Sequence, residues 1–319
     1  MLETPSRLHF GLLAPGSRGP RQFGGVGLMI GAPGLRLSAT SADRWEAAGP
    51  LASRALQVAG RVAAALALRG VEPSPARIEV LGVPPEHVGL GVGTQLGLGV
   101  ARLVAELAGL GALPSTDLAE LSGRGVRSGI GLHGFALGGL IVDGGRGPAS
   151  AIPPLLARLP FPPDWAVLVA IPPQPTGLHG PGELRAFADL PPFPDALTDR
   201  LCRLVLLGLL PAVIERDLPG FSAALEELQE RVGQGFAPAQ GGTFARPELE
   251  AIVAGLRAEG LLGVGQSSWG PTVYGFSDAP PDRRRATLAA VLDRLALPPG
   301  SAFWTRASAS GATIRRDRA

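Results

Sequence analysis

Glycine recurs at every second position in His87-Val88-Gly89-Leu90-Gly91-Val92-Gly93-Thr94-Gln95, and Leu96, Val100, Leu103, Val104 and Leu107 follow at helical spacing. A turn of this kind, opening a helix, can aim backbone N–H groups at an anion, and the helix dipole adds partial positive charge there. The chemistry it suits is the holding of phosphate, with Gly89, Gly91, Gly93, Thr94 and Gln95 as the cradle. It is not a P-loop. No Gly-Lys-Ser/Thr is present, and the chain has no lysine: its 29 basic residues are all arginine.

Other residues could complete a site around that turn. Arg127 carries a planar guanidinium fork that suits a carboxylate or a phosphate bidentately. Arg7 and His9 alternate with Leu8 on a strand, so both face one side, and His9 is a candidate contact for an aromatic acid or a phosphate. Near the C-terminus, Gly263-Val264-Gly265-Gln266-Ser267-Ser268-Trp269-Gly270-Pro271 offers Gln266, Ser267 and Ser268 as polar contacts and Trp269 as a wall for a planar ring.

The elements that must position these residues are legible in the periodicity. Ser6–Leu13 and Gly25–Leu37 read as strands, 51–69 as a helix, Arg77–Leu81 as a half-buried strand, and 116–121 as a short helix capped by Ser115 or Thr116. Gly138–Val142 reads as a strand closed by a hairpin turn at Asp143-Gly144-Gly145. The Pro-rich stretch Leu159–Asp164 breaks the pattern, so two domains are expected, 1–160 and 161–319. In the second, a strand at 165–171 precedes helices at 197–216, 221–233 and 247–259. A strand pair around 263–276, a helix at 281–295 and a strand at 302–307 follow, a ferredoxin-like succession. The fold class is α+β.

Composition narrows the function classes. Net charge is +2 and the arginines are scattered, so a nucleic-acid face is not indicated. The single cysteine, Cys202, excludes an intrachain disulfide framework and fits a reducing cytoplasm. No apolar run is long enough to cross a bilayer, and Glu3 and Arg7 near Met1 leave no signal-peptide apolar core. The histidines are dispersed, with no His-Glu-x-x-His or Cys-x-x-Cys spacing, so metal ligands are unassigned.

In order and spacing, Pro5-Ser6-Arg7-Leu8-His9-Phe10-Gly11, the glycine turn, Arg127-Ser128-Gly129-Ile130-Gly131 with Gly138-Gly139, and the C-terminal glycine turn resemble the GHMP kinase superfamily. The resemblance implies an N-terminal α/β domain of ribosomal-S5-like type and a C-terminal ferredoxin-like domain. It also implies phosphate contacts from Ser128 and Gly129. Kinases of the mevalonate type carry an Asp base where this chain has Gly131.

With Phe23-Gly24-Gly25-Val26-Gly27-Leu28 added, the same segments resemble one branch more closely, the β-ribofuranosylaminobenzene 5′-phosphate synthases of tetrahydromethanopterin biosynthesis. That resemblance implies joining phosphoribosyl pyrophosphate to 4-aminobenzoate, or to 4-hydroxybenzoate, with release of CO2 and pyrophosphate. The attacking ring carbon then sheds CO2 and not a proton, so a glycine at 131 is tolerable. Mg2+ carried largely on the substrate phosphates, no organic cofactor, small-molecule substrates as the only partners and a homodimer are implied with it. An ATP-dependent kinase of the superfamily is the alternative, and a silent phosphometabolite-binding member a third.

Four further features are set aside. His133 reads as structural, Arg283-Arg284-Arg285 as the solvated start of a helix, and Asp143 as a turn residue. His179 sits in a Pro/Gly loop that could flap over a substrate.

Overall fold

The computed structural model describes residues 1–16, 19–125, 127–148, 152–173 and 180–316. Its first half is built on a sheet whose spine is β1 (Leu2–Ala14) against the long β2 (Phe23–Ser41), paired antiparallel. The second part of β2 pairs with β4 (Ala76–Gly82), which carries the parallel edge strand β3 (Glu46–Ala48). The first part of β2 pairs with β5 (Leu140–Asp143), and β5 with β6 (Leu155–Leu159). In β4, buried Ala76, Ile78 and Val80 alternate with Arg77, Glu79 and Leu81, the signature of a strand with one face on a core.

Helices α1 (Ala52–Ala67) and α2 (Val92–Leu107) pack on this sheet. In α1 the buried residues Ala55, Val58, Ala59, Val62 and Leu66 form one stripe. α2 is buried on most of its circumference, so its glycines act as spacers for close neighbours. Helices α3 (Ser115–Ser122) and α4 (Ile130–Leu137) complete the layer. Neither Ser115 nor Thr116 caps α3: the residue before the helix is Pro114, and no side chain accepts from its first turn.

A second sheet follows from β7 (Ala166–Ala170). Helices α5 (Gly180–Asp189), α6 (Asp195–Leu204), α7 (Leu210–Glu215), α8 (Leu218–Gln240) and α9 (Pro247–Ala258) precede β8 (Leu262–Gln266) and β9 (Val273–Ser277). Then come α10 (Pro281–Arg294), β10 (Ala302–Arg306) and β11 (Thr313–Ile314). The order β10-β7-β9-β8, all antiparallel, is the ferredoxin-like arrangement expected from sequence. The helix read as continuous over 197–216 is interrupted by a π-helical turn at Val205–Leu209. Strand β11 returns to the first sheet beside β1.

One apolar core joins the two sheets. Phe10 of β1 packs against Phe221, Tyr274 and Phe276. That contact holds β1 and the C-terminal glycine turn in fixed relation. A further correction concerns Asp143-Gly144-Gly145, which is no tight hairpin, since the partner strand begins only at Leu155.

Candidate active site

A cleft of about 980 Å³ opens between the two sheets, and Arg7, His9, Gly89, Gly91, Gly93 and Thr94 line it from the first. Arg127 and Ser128 line it from the loop before α4, and Gln266, Ser268 and Trp269 from the C-terminal turn. Three of the residues expected at the site do not reach it.

The glycine turn is shaped by backbone demands. Gly89 has φ +92°, and a Cβ there would overlap the Ser267 carbonyl. Gly91 has φ +77° and stands at the N-terminus of α2, with Arg7 Cγ where its Cβ would be. The amides of Thr94 and Gln95 already donate to Gly91 O at 3.0 and 3.2 Å. Those of Val92 and Gly93 have no backbone acceptor among the described residues, and they are the groups available to an anion. The Gln95 side chain is buried and donates to Gly131 O at 2.9 Å, tying α2 to α4 and not to a ligand.

The loop before α4 is held by Asp143, which is fully buried. Its carboxylate accepts from the Gly129 amide at 2.8 Å, the Gly145 amide at 2.9 Å and Ser128 Oγ at 3.3 Å. Gly129 therefore spends its N–H inside the protein and offers nothing to phosphate. Burial pushes the Asp143 carboxyl above its usual range, against the pull of those backbone donors. Ser128 Oγ also lies 3.1 Å from His9 Nε2. Burial, and secondarily the charge of Arg7, hold the His9 imidazole well below its ordinary value, so at neutral pH it is an uncharged partner in a His9–Ser128–Asp143 chain.

The C-terminal turn spends most of its polar groups inward. Ser267 is buried, accepts from the His9 amide at 3.0 Å and donates to Gly89 O at 2.8 Å, so it is a brace and not a substrate contact. The Gln266 amide donates to Ser268 O at 2.7 Å and accepts from Ala245 N at 2.9 Å. Trp269 meets Phe187 and Phe236 edge-on, at 5.5 and 5.1 Å between ring centroids. Phe23 joins Phe187 at 6.1 Å, and the Arg127 guanidinium lies 5.2 Å from the Phe187 ring centre.

Sequence reasoning missed Arg54 and Arg124, which lie over the first turn of α2, and Glu86, which pairs with Arg54. Glu86 directly precedes the glycine turn, but no motif contains Arg54 or Arg124, and only the fold brings the three together. Glu86 is the acidic residue among those lining the cleft. Gly131 does not line it, and a Cβ there would sit 3.1 Å from Thr94 Cγ2. His133 is structural, its Nε2 2.8 Å from Pro153 O. His179 lies outside the described residues.

This architecture is that of the GHMP kinases. Residues 209–295 match the family described as GHMP kinases C terminal. The phosphomevalonate kinase of Streptococcus pneumoniae superposes with a TM-score of 0.69, covering 97% of this chain and 99% of that one at 12% identity, a likeness of fold. Sequence relatives carry the assignment further. The β-ribofuranosylphenol 5′-phosphate synthase of Archaeoglobus fulgidus is 37% identical over 295 residues, covering 87% of this chain and 88% of its own. That of Methanothermobacter thermautotrophicus is 32% identical over 314 residues, covering 92% and 93%. The chain belongs to the β-ribofuranosylphenol 5′-phosphate synthase family.

Proposed function

We infer that this enzyme is a decarboxylating phosphoribosyltransferase, joining phosphoribosyl pyrophosphate to 4-hydroxybenzoate or 4-aminobenzoate with release of CO2 and pyrophosphate. The observation that carries the chemistry is the lining of the cleft. Arginines and free amides gather at the glycine turn, aromatic rings gather at Trp269, and the one acidic residue among the lining, Glu86, is engaged by Arg54. A phosphorylated donor suits the first sector and a planar aromatic acid the second.

The bond changes need no base at the ring carbon. The C1–O bond of the donor breaks with its electron pair leaving on pyrophosphate. The ring carbon bearing the carboxylate supplies the pair for the new C1–C bond. The carboxylate then departs as CO2, and its bonding pair restores the aromatic ring. The residues' tasks are to place the two reactants and to stabilise the departing charge. We assign the diphosphate to the Val92 and Gly93 amides with Thr94, and the acceptor carboxylate to Arg127. Neutral His9 lines the cleft between these groups as a hydrogen-bond partner fixed by Ser128.

Among the described residues no cluster of His, Cys, Asp and Glu forms a metal cage. The lining fits a Mg2+ brought in on the donor's phosphates, with Glu86 the carboxylate able to join it, and such an ion would neutralise diphosphate charge. A cytoplasmic, homodimeric enzyme acting on small molecules is the accompanying proposal. The unpaired Cys202 suits a reducing compartment, and exposed Leu206, Leu207 and Ile214 would be covered in a dimer. Among the described residues no helix is long and apolar enough to cross a membrane.

The test is incubation of the purified enzyme with phosphoribosyl pyrophosphate, Mg2+ and carboxyl-labelled 4-hydroxybenzoate or 4-aminobenzoate. Labelled CO2 and pyrophosphate should appear in equal amounts. Labelled acid left intact by folded protein, with ATP-dependent phosphorylation of a small alcohol instead, would transfer the assignment to a kinase.

A further inference from the structure

Arg124 is out of keeping with an ordinary surface arginine. It is half-buried, its Nε is buried without a hydrogen-bond partner, and it forms no ion pair among the described residues. Its burial first, and then the neighbouring charges of Arg54, Arg61 and Arg127, lower the stability of its charged form. Guanidinium does not escape such a cluster by losing its proton. Arg61 is anchored elsewhere, donating to Ser122 O at 3.0 Å. Arg54 and Arg124 instead point over the start of α2. A Cβ on Gly93 would overlap Arg54 Nη2 and lie 3.8 Å from Arg124 Nη1, and the Arg124 stem runs beside Gly97. Arg54 also stands in the first turn of α1, where the helix dipole opposes a cation and that turn itself holds no acidic residue.

Like charges held together against repulsion, dipole and burial mark a site completed by an anion. We propose that Arg54 and Arg124 form a clamp for the diphosphate of the donor, gripping it at Gly93 and taking up its charge as the C1–O bond breaks. The clamp rests on the reading of the donor as phosphoribosyl pyrophosphate. Glu86 balances Arg54 alone, so Arg124 is the uncompensated member and should carry the larger effect. The group of highest charge on the donor is its diphosphate, and the uncommitted amides of Val92 and Gly93 belong to the same helix start that Arg54 and Arg124 overhang.

The experiment titrates inorganic pyrophosphate and, separately, ribose 5-phosphate into the wild-type enzyme, Arg124→Ala, Arg124→Lys and Arg54→Ala, at constant Mg2+. Arg124→Ala should weaken pyrophosphate about 10- to 100-fold, the range of one lost charge-assisted contact, and leave ribose 5-phosphate nearly unchanged. Arg124→Lys should recover part of the loss, since it restores charge without the fork. The melting temperature of ligand-free Arg124→Ala should match or exceed that of the wild type, because repulsion is relieved. A structural arginine would lower it. Unchanged pyrophosphate affinity, an equal loss for ribose 5-phosphate, or a lowered melting temperature would each overturn the clamp. The two readings fail separately: pyrophosphate binding that depends on Arg124 without CO2 release would leave the clamp and remove the reaction. CO2 release by an enzyme whose pyrophosphate affinity ignores Arg124 would do the reverse.

Discussion

The two glycine turns that meet across the cleft look alike in sequence and behave differently. The turn at Gly89–Gly93 leaves the amides of Val92 and Gly93 uncommitted and is ringed by arginines. The turn at Gly265–Gly270 spends Gln266 and Ser267 on itself and on its neighbour, and presents Ser268 and Trp269 to the cleft. One keeps backbone donors open toward the cleft and the other is chiefly a brace that holds it. What separates them is whether each polar group has already found a partner inside the protein.

The comparison can be broken most forcefully where the turns touch. Gly89→Ala places a Cβ on the Ser267 carbonyl at a left-handed φ, and it should cost about 2–4 kcal/mol and abolish CO2 release. A denaturant midpoint close to wild type would show that the turns are not interlocked. Adjacent serines provide the next contrast. Ser267→Ala removes a buried hydroxyl bridging His9 N and Gly89 O and should destabilise by about 1–3 kcal/mol, whereas Ser268→Ala should stay within about 0.5 kcal/mol. Equal losses in thermal unfolding would erase the distinction between brace and lining.

A third test uses pH. The folded state holds His9 below its ordinary value of 6.5, so the unfolded chain binds the extra proton. The stability linked to His9 is complete above 6.5 and is lost as pH falls from there through the depressed folded value. His9→Gln should therefore flatten the fall in melting temperature below about pH 6.5, and an unchanged slope would place the effect elsewhere. The smallest effect is expected at the aromatic sector. Trp269→Phe keeps a ring against Phe187 and Phe236, and should raise the acceptor KM about two- to tenfold with donor KM steady. A shift in donor KM alone would move the aromatic acid away from Trp269.

Much of this was open to inspection along the chain. The stripe of α1, the alternation in β4, the ferredoxin-like succession and the turn that opens α2 are local periodicities, and each survives in the structure. The interruption at Val205–Leu209 was not visible, because apolar spacing does not distinguish a π turn from the helix around it. The role of Asp143 is hidden in the sequence for a related reason. Asp-Gly-Gly carries a strong turn signal, and only packing shows the carboxylate anchoring the loop of Ser128 and Gly129.

Residue type and spacing by themselves determined the α+β plan, the glycine turn that opens α2 and the family, since these depend on backbone period and on short motifs. The tertiary structure alone decided which polar groups are already spent: Gln95, Gly129 and Ser267 bond inward, while Arg54 and Arg124, far apart in the chain, converge on Gly93. The physical reason is that a side chain's chemistry is intrinsic, but its availability depends on what the fold has already paired with it.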